Sequence, residues 1–492
     1  MVDLLQLGFA AILNVETLLL MVAGAFGGIV FAAVPGLSTG MAVVLALPLT
    51  YAMTGVNGLA TMAAIYVGGM SGGLIGSTLL GIPGTSSAVA TTFDGFPMAR
   101  SGQPGRAMGI GLWSSFVGGL FGAVVLMLSA PTIARLAAQL GPWEYASLIL
   151  FGMTMIASLT GRSVLKGFLA GAFGLVLGTV GADPILGSGR LTFGLRGLRG
   201  GFHFIPVMIG LYAISTILND LRKPPQTHAY AEENLRIPHL ESLMTVFRNA
   251  RATLISVVSG VVVGALPGVG ATISNIWSYD QVRRLSPHRE RFGTGEPEGI
   301  IAAEAANSAT AGGTLIPMLA LGLPGNPISV IMMGAVIIHG IIPGPLFIPQ
   351  HPDLAYGLFA AFLLSNLIVI IVQAGFTRLY VRVLRVPIRI LAPVIVVFCV
   401  VGAFAHNNRV FDVFVMLGSG LAGFVFTHLG IPLAPIILGM ILGPTLEENI
   451  RVALMTSTDL TLFISRPISL VFLVLAVGSL VAIALGSRKE RT

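Results

Sequence analysis

Two segments of the chain repeat one pattern: a run of small and apolar residues, a Pro-Gly break, and about fifty residues later a second Pro-Gly break inside another such run. The first copy reads GIVFAAVPGLSTG from Gly28 to Gly40, then GGLIGSTLLGIPGTSS from Gly72 to Ser87. The second reads GVVVGALPGVGAT from Gly260 to Thr272, then GTLIPMLALGLPGN from Gly313 to Asn326. Paired breaks at matching positions of two hydrophobic halves point to a secondary transporter, because broken helices turn backbone dipoles toward a polar substrate.

The chain is 55% hydrophobic and 10% charged, well below the roughly 25% charge of soluble domains. Most of it therefore belongs in lipid. Stretches long enough to span lie near residues 16–34, 57–81, 107–130, 145–160, 165–181, 204–219, 252–266, 298–323, 353–377, 388–405, 411–428 and 462–486. Shorter apolar pieces at 40–54, 269–279, 325–342 and 432–443 suggest re-entrant segments. The fold class expected is an all-α polytopic membrane protein of about twelve spans, with two inverted repeats and discontinuous or re-entrant helices. The opening Met1-Val2-Asp3 lacks the basic region of a cleaved signal. The single Cys399 excludes an internal disulfide and a Cys-based metal cluster. A net charge of +7 comes from bases in short loops, so topology accounts for it and nucleic acid is not implied.

Those bases also orient the repeats. The loop 51–57 is uncharged, whereas the loop after the second break carries Arg100 and Arg106. The second copy reverses this: Arg283, Arg284, Arg289 and Arg291 lie early, and 342–352 has no Lys or Arg. With basic loops in the cytoplasm the repeats are inverted, the amino terminus is outside, and the carboxyl tail with Arg488 to Arg491 is inside, as is the Arg378 to Arg389 loop. The 183–201 loop, with Arg190, Arg196 and Arg199, falls outside on this count; either a span is miscounted or the bases attract an anion or an acidic partner. Residues 220–251 read as a cytoplasmic linker. They divide a first half, 1–219, with its repeat core at 16–107 and further spans at 107–219, from a second half, 252–492, with its core at 252–345 and further spans at 353–486.

Proline removes a backbone donor and glycine permits a sharp turn, so each break leaves a helix start whose free amides and dipole favour an anion. The substrate-binding candidates are Ser38 and Thr39 at the first break, Gly84, Thr85, Ser86 and Ser87 at the second, and Gly325 and Asn326 at the fourth. Thr85 or Ser86 is expected to cap the restarted helix, and Gly84 and Gly325 to sit in turns needing positive φ. A lone Pro-Gly in a membrane helix reads more simply as a packing kink; four in two matched pairs do not. Glu304, Asn307 and Ser308 share one helical face inside IIAAEAANSATAGG. An intramembrane carboxylate with oxygen neighbours suits Na+ or H+ coupling, and Thr272 at the third break joins this set. The alternative is that Glu304 lies near the membrane surface, capping or pairing with an arginine. Asp94 and His339, at segment ends, read as interfacial anchors. No resident cofactor is expected.

Gly69-Met70-Ser71-Gly72-Gly73 matches a serine-hydrolase elbow, with His203 and His339 as bases by position, but a glycine-rich chain makes such matches cheaply and the strand-turn-helix setting is absent. A channel, or a permease for another small organic anion, is the nearer rival.

Phe93-Asp94-Gly95-Phe96-Pro97-Met98-Ala99 with the preceding GIPGTSSAVATT resembles the signature of the TctA family, the large membrane subunit of tripartite tricarboxylate transporters. PEGIIAAEAANSA, GLPGNP, HGIIPGP and Asp183 with Arg190 to Gly194 are similar to the same family, in the same order from about Gly24 to Gly443. The resemblance implies a bacterial inner-membrane permease that imports carboxylates by cation symport, with a small membrane subunit and a periplasmic solute-binding protein as partners; the amino terminus is then periplasmic. Gly81 stands where that family commonly has Asn, Thr85 where it has an acidic or other polar residue, Ala303 where it has Pro and Ser308 where it has Asn. These departures lie at the expected site, so citrate and the coupling ion do not carry over with the resemblance.

Overall fold

A computed structural model describes residues 2–34, 36–159, 164–183, 187–222, 235–267, 270–383 and 388–489. Pro35, Gly268 and Val269 of the breaks, linker residues 223–234, Arg385, and Glu490 and Arg491 of the tail lie outside the described residues. The described chain is almost wholly helical. It begins with α1 (Val2–Ile12), α2 (Val15–Ala33), α3 (Thr39–Thr50), α4 (Gly55–Leu80), a single 3-10 turn at Ser86–Ala88, α5 (Thr91–Arg100) and α6 (Pro104–Ala137). Next come α7 (Pro142–Leu159), α8 (Val164–Thr179), a hairpin of β1 (Gly181–Ala182) and β2 (Gly189–Arg190), a 3-10 turn at Arg196–Gly200, α9 (Phe204–Ile209), a π turn and α10 (Ser215–Leu221). The second half holds α11 (His239–Arg248), α12 (Ala250–Gly264), α13 (Gly270–Leu285), a 3-10 turn at Arg289–Arg291, α14 (Pro297–Leu321), α15 (Pro327–Ile338), α16 (Phe347–Gln350), α17 (Pro352–Val383), α18 (Ile388–Asn407), α19 (Val410–His428), α20 (Ala434–Thr456), α21 (Leu462–Ser465) and α22 (Pro467–Lys489).

All twelve long apolar stretches are helical among the described residues, but six helices are long and apolar enough to cross a membrane: Val15–Ala33, Gly55–Leu80, Pro104–Ala137, Phe204–Leu221, Pro352–Thr377 and Val410–His428. The pair His239–Arg248 and Ala250–Ala265, bent by 81°, makes a seventh if it is one broken span. Others, such as α3 and α15, are apolar but short. The helices group into two compact units, one of Met1–Ala134 with Asp220–Val394, the other of Arg135–Asn219 with Ile395–Thr492.

In the first unit α4 and α14 form the core. Small and apolar all round, they are buried from Asn57 to Thr78 and from Gly299 to Ala320, as such a sequence requires. Glycine sets how closely their neighbours approach. A Cβ on Gly28 would stand 2.2 Å from the Ile65 carbonyl oxygen on α4, and one on Gly118 of α6 would stand 2.1 Å from that of Ala305 on α14. Both core helices end alike, at Gly81 with φ +67° and Gly322 with φ +73°, three residues before a Gly of each Pro-Gly pair. The left-handed turn thus belongs to these cap glycines, and not to Gly84 or Gly325 as the break pattern suggested. Gly84 is required for a different reason, since a Cβ there would meet the Ala32 carbonyl oxygen at 2.0 Å.

In the second unit α20 packs on α7 and α8, α22 on α7, and α19 on the π turn Gly210–Ile214. The 183–201 loop is tied inward: Arg190 reaches Asp183 and Glu447, and Arg451 reaches the same two acids. The hydrogen bonds to Glu447 and Asp183 hold the Arg190 guanidinium above its ordinary pKa. This arginine is committed to its own chain, while Arg196 and Arg199 are exposed.

Candidate functional site

In the first unit the elements that follow the four breaks pack in crossed pairs. α3, restarting after the first break, packs on α15, restarting after the fourth; α13, after the third, packs on the 3-10 turn after the second. Ser38 caps α3 by accepting from the Met41 amide at 3.1 Å. Asn326 and Ser329 form a reciprocal capping box on α15: the Ser329 amide donates to Asn326 Oδ1 at 2.7 Å, and the Asn326 amide donates to Ser329 Oγ at 2.9 Å. Asn326 Nδ2 also donates to the Tyr66 hydroxyl at 3.1 Å, which lies 3.0 Å from Thr314 Oγ1. A bond across the two halves is thus built into the fourth break. Thr39 is buried with no hydrogen-bond partner for its hydroxyl, and Gly325 is buried against the Gly264 carbonyl.

The second break differs from its expectation. After Gly84 the chain makes only the 3-10 turn before α5 starts at Thr91, and Thr85 at the turn's start makes no side-chain cap. Its hydroxyl lies 3.0 Å from that of Ser87, Ser86 is exposed, and the Ser87 carbonyl accepts from Asn275 Nδ2 on α13. No long helix begins there to present a dipole.

Glu304, the eighth residue of the 25-residue α14, is completely buried. Thr91 Oγ1 donates to its Oε1 at 2.5 Å and Ser115 Oγ donates to its Oε2 at 2.7 Å. No arginine or lysine pairs with it among the described residues. Asn307 points elsewhere on the same helix, its Nδ2 donating to the Met70 carbonyl at 2.9 Å and its Oδ1 having no partner. Ser308, 5% exposed, lines a small cavity with Ser71, Ser115 and Asn366. Ser115 therefore joins Glu304 and Ser308 in one neighbourhood. Thr272 is half-buried on α13, and the hydroxyl link from α13 to α14 is made instead by Ser274, 2.7 Å from Thr310.

Asp94 joins two segments of the chain, a role that its position at a segment end concealed. It is wholly buried; its Oδ1 accepts from the amides of Gly293 and Gly295 at 2.9 Å and of Glu296 at 2.8 Å, and its Oδ2 from the Tyr279 hydroxyl at 2.7 Å. It fastens α5 to the loop that leads into α14. His339 ends α15 beside Gly58 and is half-buried. Ser71 lies inside α4, not on an elbow, and its hydroxyl donates to Gln373 Oε1 at 2.6 Å. The arrangement offers a buried carboxylate, hydroxyls and helix starts, which suits the reversible holding of ions.

The family model described as "Tripartite tricarboxylate transporter TctA family" matches residues 18–438. A protein of Agrobacterium vitis, described as "Uncharacterized 52.8 kDa protein in TAR-I ttuC' 3'region", is 34% identical over 489 residues, covering 99% of this chain and 97% of that one. A second protein of that organism, "Uncharacterized protein in TAR-II ttuC' 3'region", is 39% identical over 211 residues, 43% of this chain and 87% of its own length.

Proposed function

The chain belongs to the TctA family of tripartite tricarboxylate transporters, a family of multi-pass membrane proteins, and on that footing we propose that it is the permease of a carboxylate importer. It works in the bacterial inner membrane with a small membrane subunit and a periplasmic solute-binding protein. Its two repeats are inverted, about twelve segments cross or enter the membrane, and the amino terminus faces the periplasm. Substrate carboxylates meet the capped starts of α3 and α15 and the polypeptide around Gly84 to Ser87, while Glu304 with Asn307, Ser308 and Thr272 serves the coupling cation.

One observation carries this reading: Glu304 is wholly buried in a core helix with two hydroxyls as its hydrogen-bond donors. A carboxylate costs several kcal/mol to keep in such surroundings without a cationic partner. Its retention is explained if a transported cation supplies the missing charge during the cycle. The crossing of break-derived elements from the two halves supports a substrate site near the midplane.

The test is reconstitution with both partner subunits and a panel of labelled di- and tricarboxylates. Accumulation against a gradient, lost in Glu304→Gln at normal folded yield, is the expected result. Flux that only dissipates gradients would make the protein a channel. Accumulation unaltered in Glu304→Gln would remove the residue from coupling.

A further inference from the structure

The cavity beside Glu304 is lined by Val67, Ser71, Leu112, Ser115, Phe116, Ser308, Asn366, Val369 and Ile370. Three features set it apart from a packing defect. Ser115 belongs both to the cavity wall and to Glu304, because the hydroxyl that lines the one donates to the other. Ser308 stands four residues after Glu304 on the same face of α14, is more than nine-tenths buried, and does not bond back to its own helix as Ser77, Ser114 and Ser365 do. Its hydroxyl is left to the cavity. Ser71 and Asn366, on α4 and α17, add polar atoms to the lining.

We propose that this cavity is a proton-delivery site: it holds water, and Ser115 relays a proton from that water to Glu304. This rests on the coupling role given to Glu304 above and names the ion. The step balances. A hydronium in the cavity gives a proton to Ser115 Oγ, the Ser115 O–H proton passes to Glu304 Oε2, and the products are water, an unchanged serine and a neutral carboxylic acid. Release runs the same bonds in reverse.

The lining favours water over a metal cation. A bound water needs two to four polar partners; Ser308 offers its hydroxyl, and Ser71 and Ser115, whose O–H groups donate to Gln373 and Glu304, offer lone pairs. A hard cation needs several converging oxygens with negative charge among them, whereas five of the nine lining side chains are apolar and none is acidic. Around Glu304 itself the two hydroxyls point their hydrogens, not their lone pairs, at the carboxylate.

Other titratable groups on the helices packed against α14 are bonded elsewhere or exposed, Arg100 of α5 and Arg135 of α6 among the exposed ones. Tyr66 on α4 bonds to Thr314 and Asn326, and Asp94 on α5 bonds to Tyr279 of α13 and to the 293–296 amides. Arg106 at the start of α6 pairs with Glu241, Arg284 on α13 pairs with Asp280, and Arg251 of α12 and Arg283 of α13 are exposed. Glu298, at the start of α14, accepts from Ser286.

The experiment is time-resolved infrared spectroscopy of the full chain in vesicles of phosphatidylethanolamine and phosphatidylglycerol after a pH jump, with no carboxylate added. A carbonyl band of a protonated carboxyl should appear as pH falls, vanish in Glu304→Gln and shift in Glu304→Asp. Its rise should slow about tenfold or more in Ser115→Ala, less in Ser308→Ala, and recover in Ser115→Thr. A band whose rate is the same in Ser115→Ala, or a carboxylate that responds to NaCl and not to pH, would overturn the proposal. Because no substrate is present, either result is distinct from a failure of carboxylate uptake.

Discussion

Thr91 Oγ1 donates to Glu304 Oε1 across 2.5 Å, joining residues 213 positions apart in the chain. The bond fastens the start of α5 to α14, and both residues are wholly buried. A hydrogen bond to a charged group is worth about 1.5–3 kcal/mol. Thr91→Val keeps the shape and removes the donor, so it should lower the thermal unfolding temperature and impair gradient-driven accumulation, with Thr91→Ser restoring both. Unchanged melting and uptake in the valine variant would show that the contact has no energetic weight.

Asp94 answers three backbone N–H groups at once. Leaving buried donors unsatisfied costs about 1–3 kcal/mol each. Asp94→Ala should therefore destabilise far more than Asp94→Asn, which retains a carbonyl oxygen for the amides. The comparison is read from thermal melts in detergent and from protease sensitivity of the 286–296 loop. Equal behaviour of the two variants would mean that the loop is held by other contacts.

Gly84 has the Ala32 carbonyl oxygen where a Cβ would stand, at 2.0 Å, whereas Gly27 has nothing within 4 Å. Gly84→Ala should consequently collapse the yield of folded protein. Gly27→Ala, in the interior of α2, should be neutral or stabilise by up to about 1 kcal/mol through helix propensity. Gly325, whose Cβ would lie 2.8 Å from the Gly264 carbonyl oxygen, belongs between the two. Fluorescence-detected size-exclusion profiles of the three variants provide the ranking.

The inverted arrangement is tested by labelling from each side of the membrane. Tyr51, in the 51–57 loop and 52% exposed, and the exposed Arg289 serve as the two sites. Tyr51→Cys and Arg289→Cys should react from opposite faces with an impermeant thiol reagent, over a quiet background from the buried Cys399. Reaction from one face alone would reject the inversion.

The helix breaks are legible in the sequence because proline and glycine act locally: Ser38 and Asn326 cap restarted helices where their positions after Pro-Gly suggest. Glu304 is legible for a similar reason, as one acid in a long apolar run. Thr91 and Ser115 are not, since hydroxyl residues are ordinary in membrane helices and only partners on α14 distinguish these two. Asp94 illustrates the same limit. Its place near the end of a segment suggests an interfacial anchor, while its burial is decided by a loop from the other half. Thr85 misleads in the opposite sense, because a good capping residue follows the break but the chain restarts there as one 3-10 turn.

Each compact unit draws on both halves of the chain: Met1–Ala134 closes on Asp220–Val394, and Arg135–Asn219 on Ile395–Thr492. During synthesis, then, neither unit can be completed when the ribosome reaches the linker, and α4 must wait in the bilayer without α14, its eventual neighbour. Nascent chains stalled at that point should be prime substrates for membrane quality control. The two halves made as separate polypeptides should each be degraded when expressed alone and protected when expressed together.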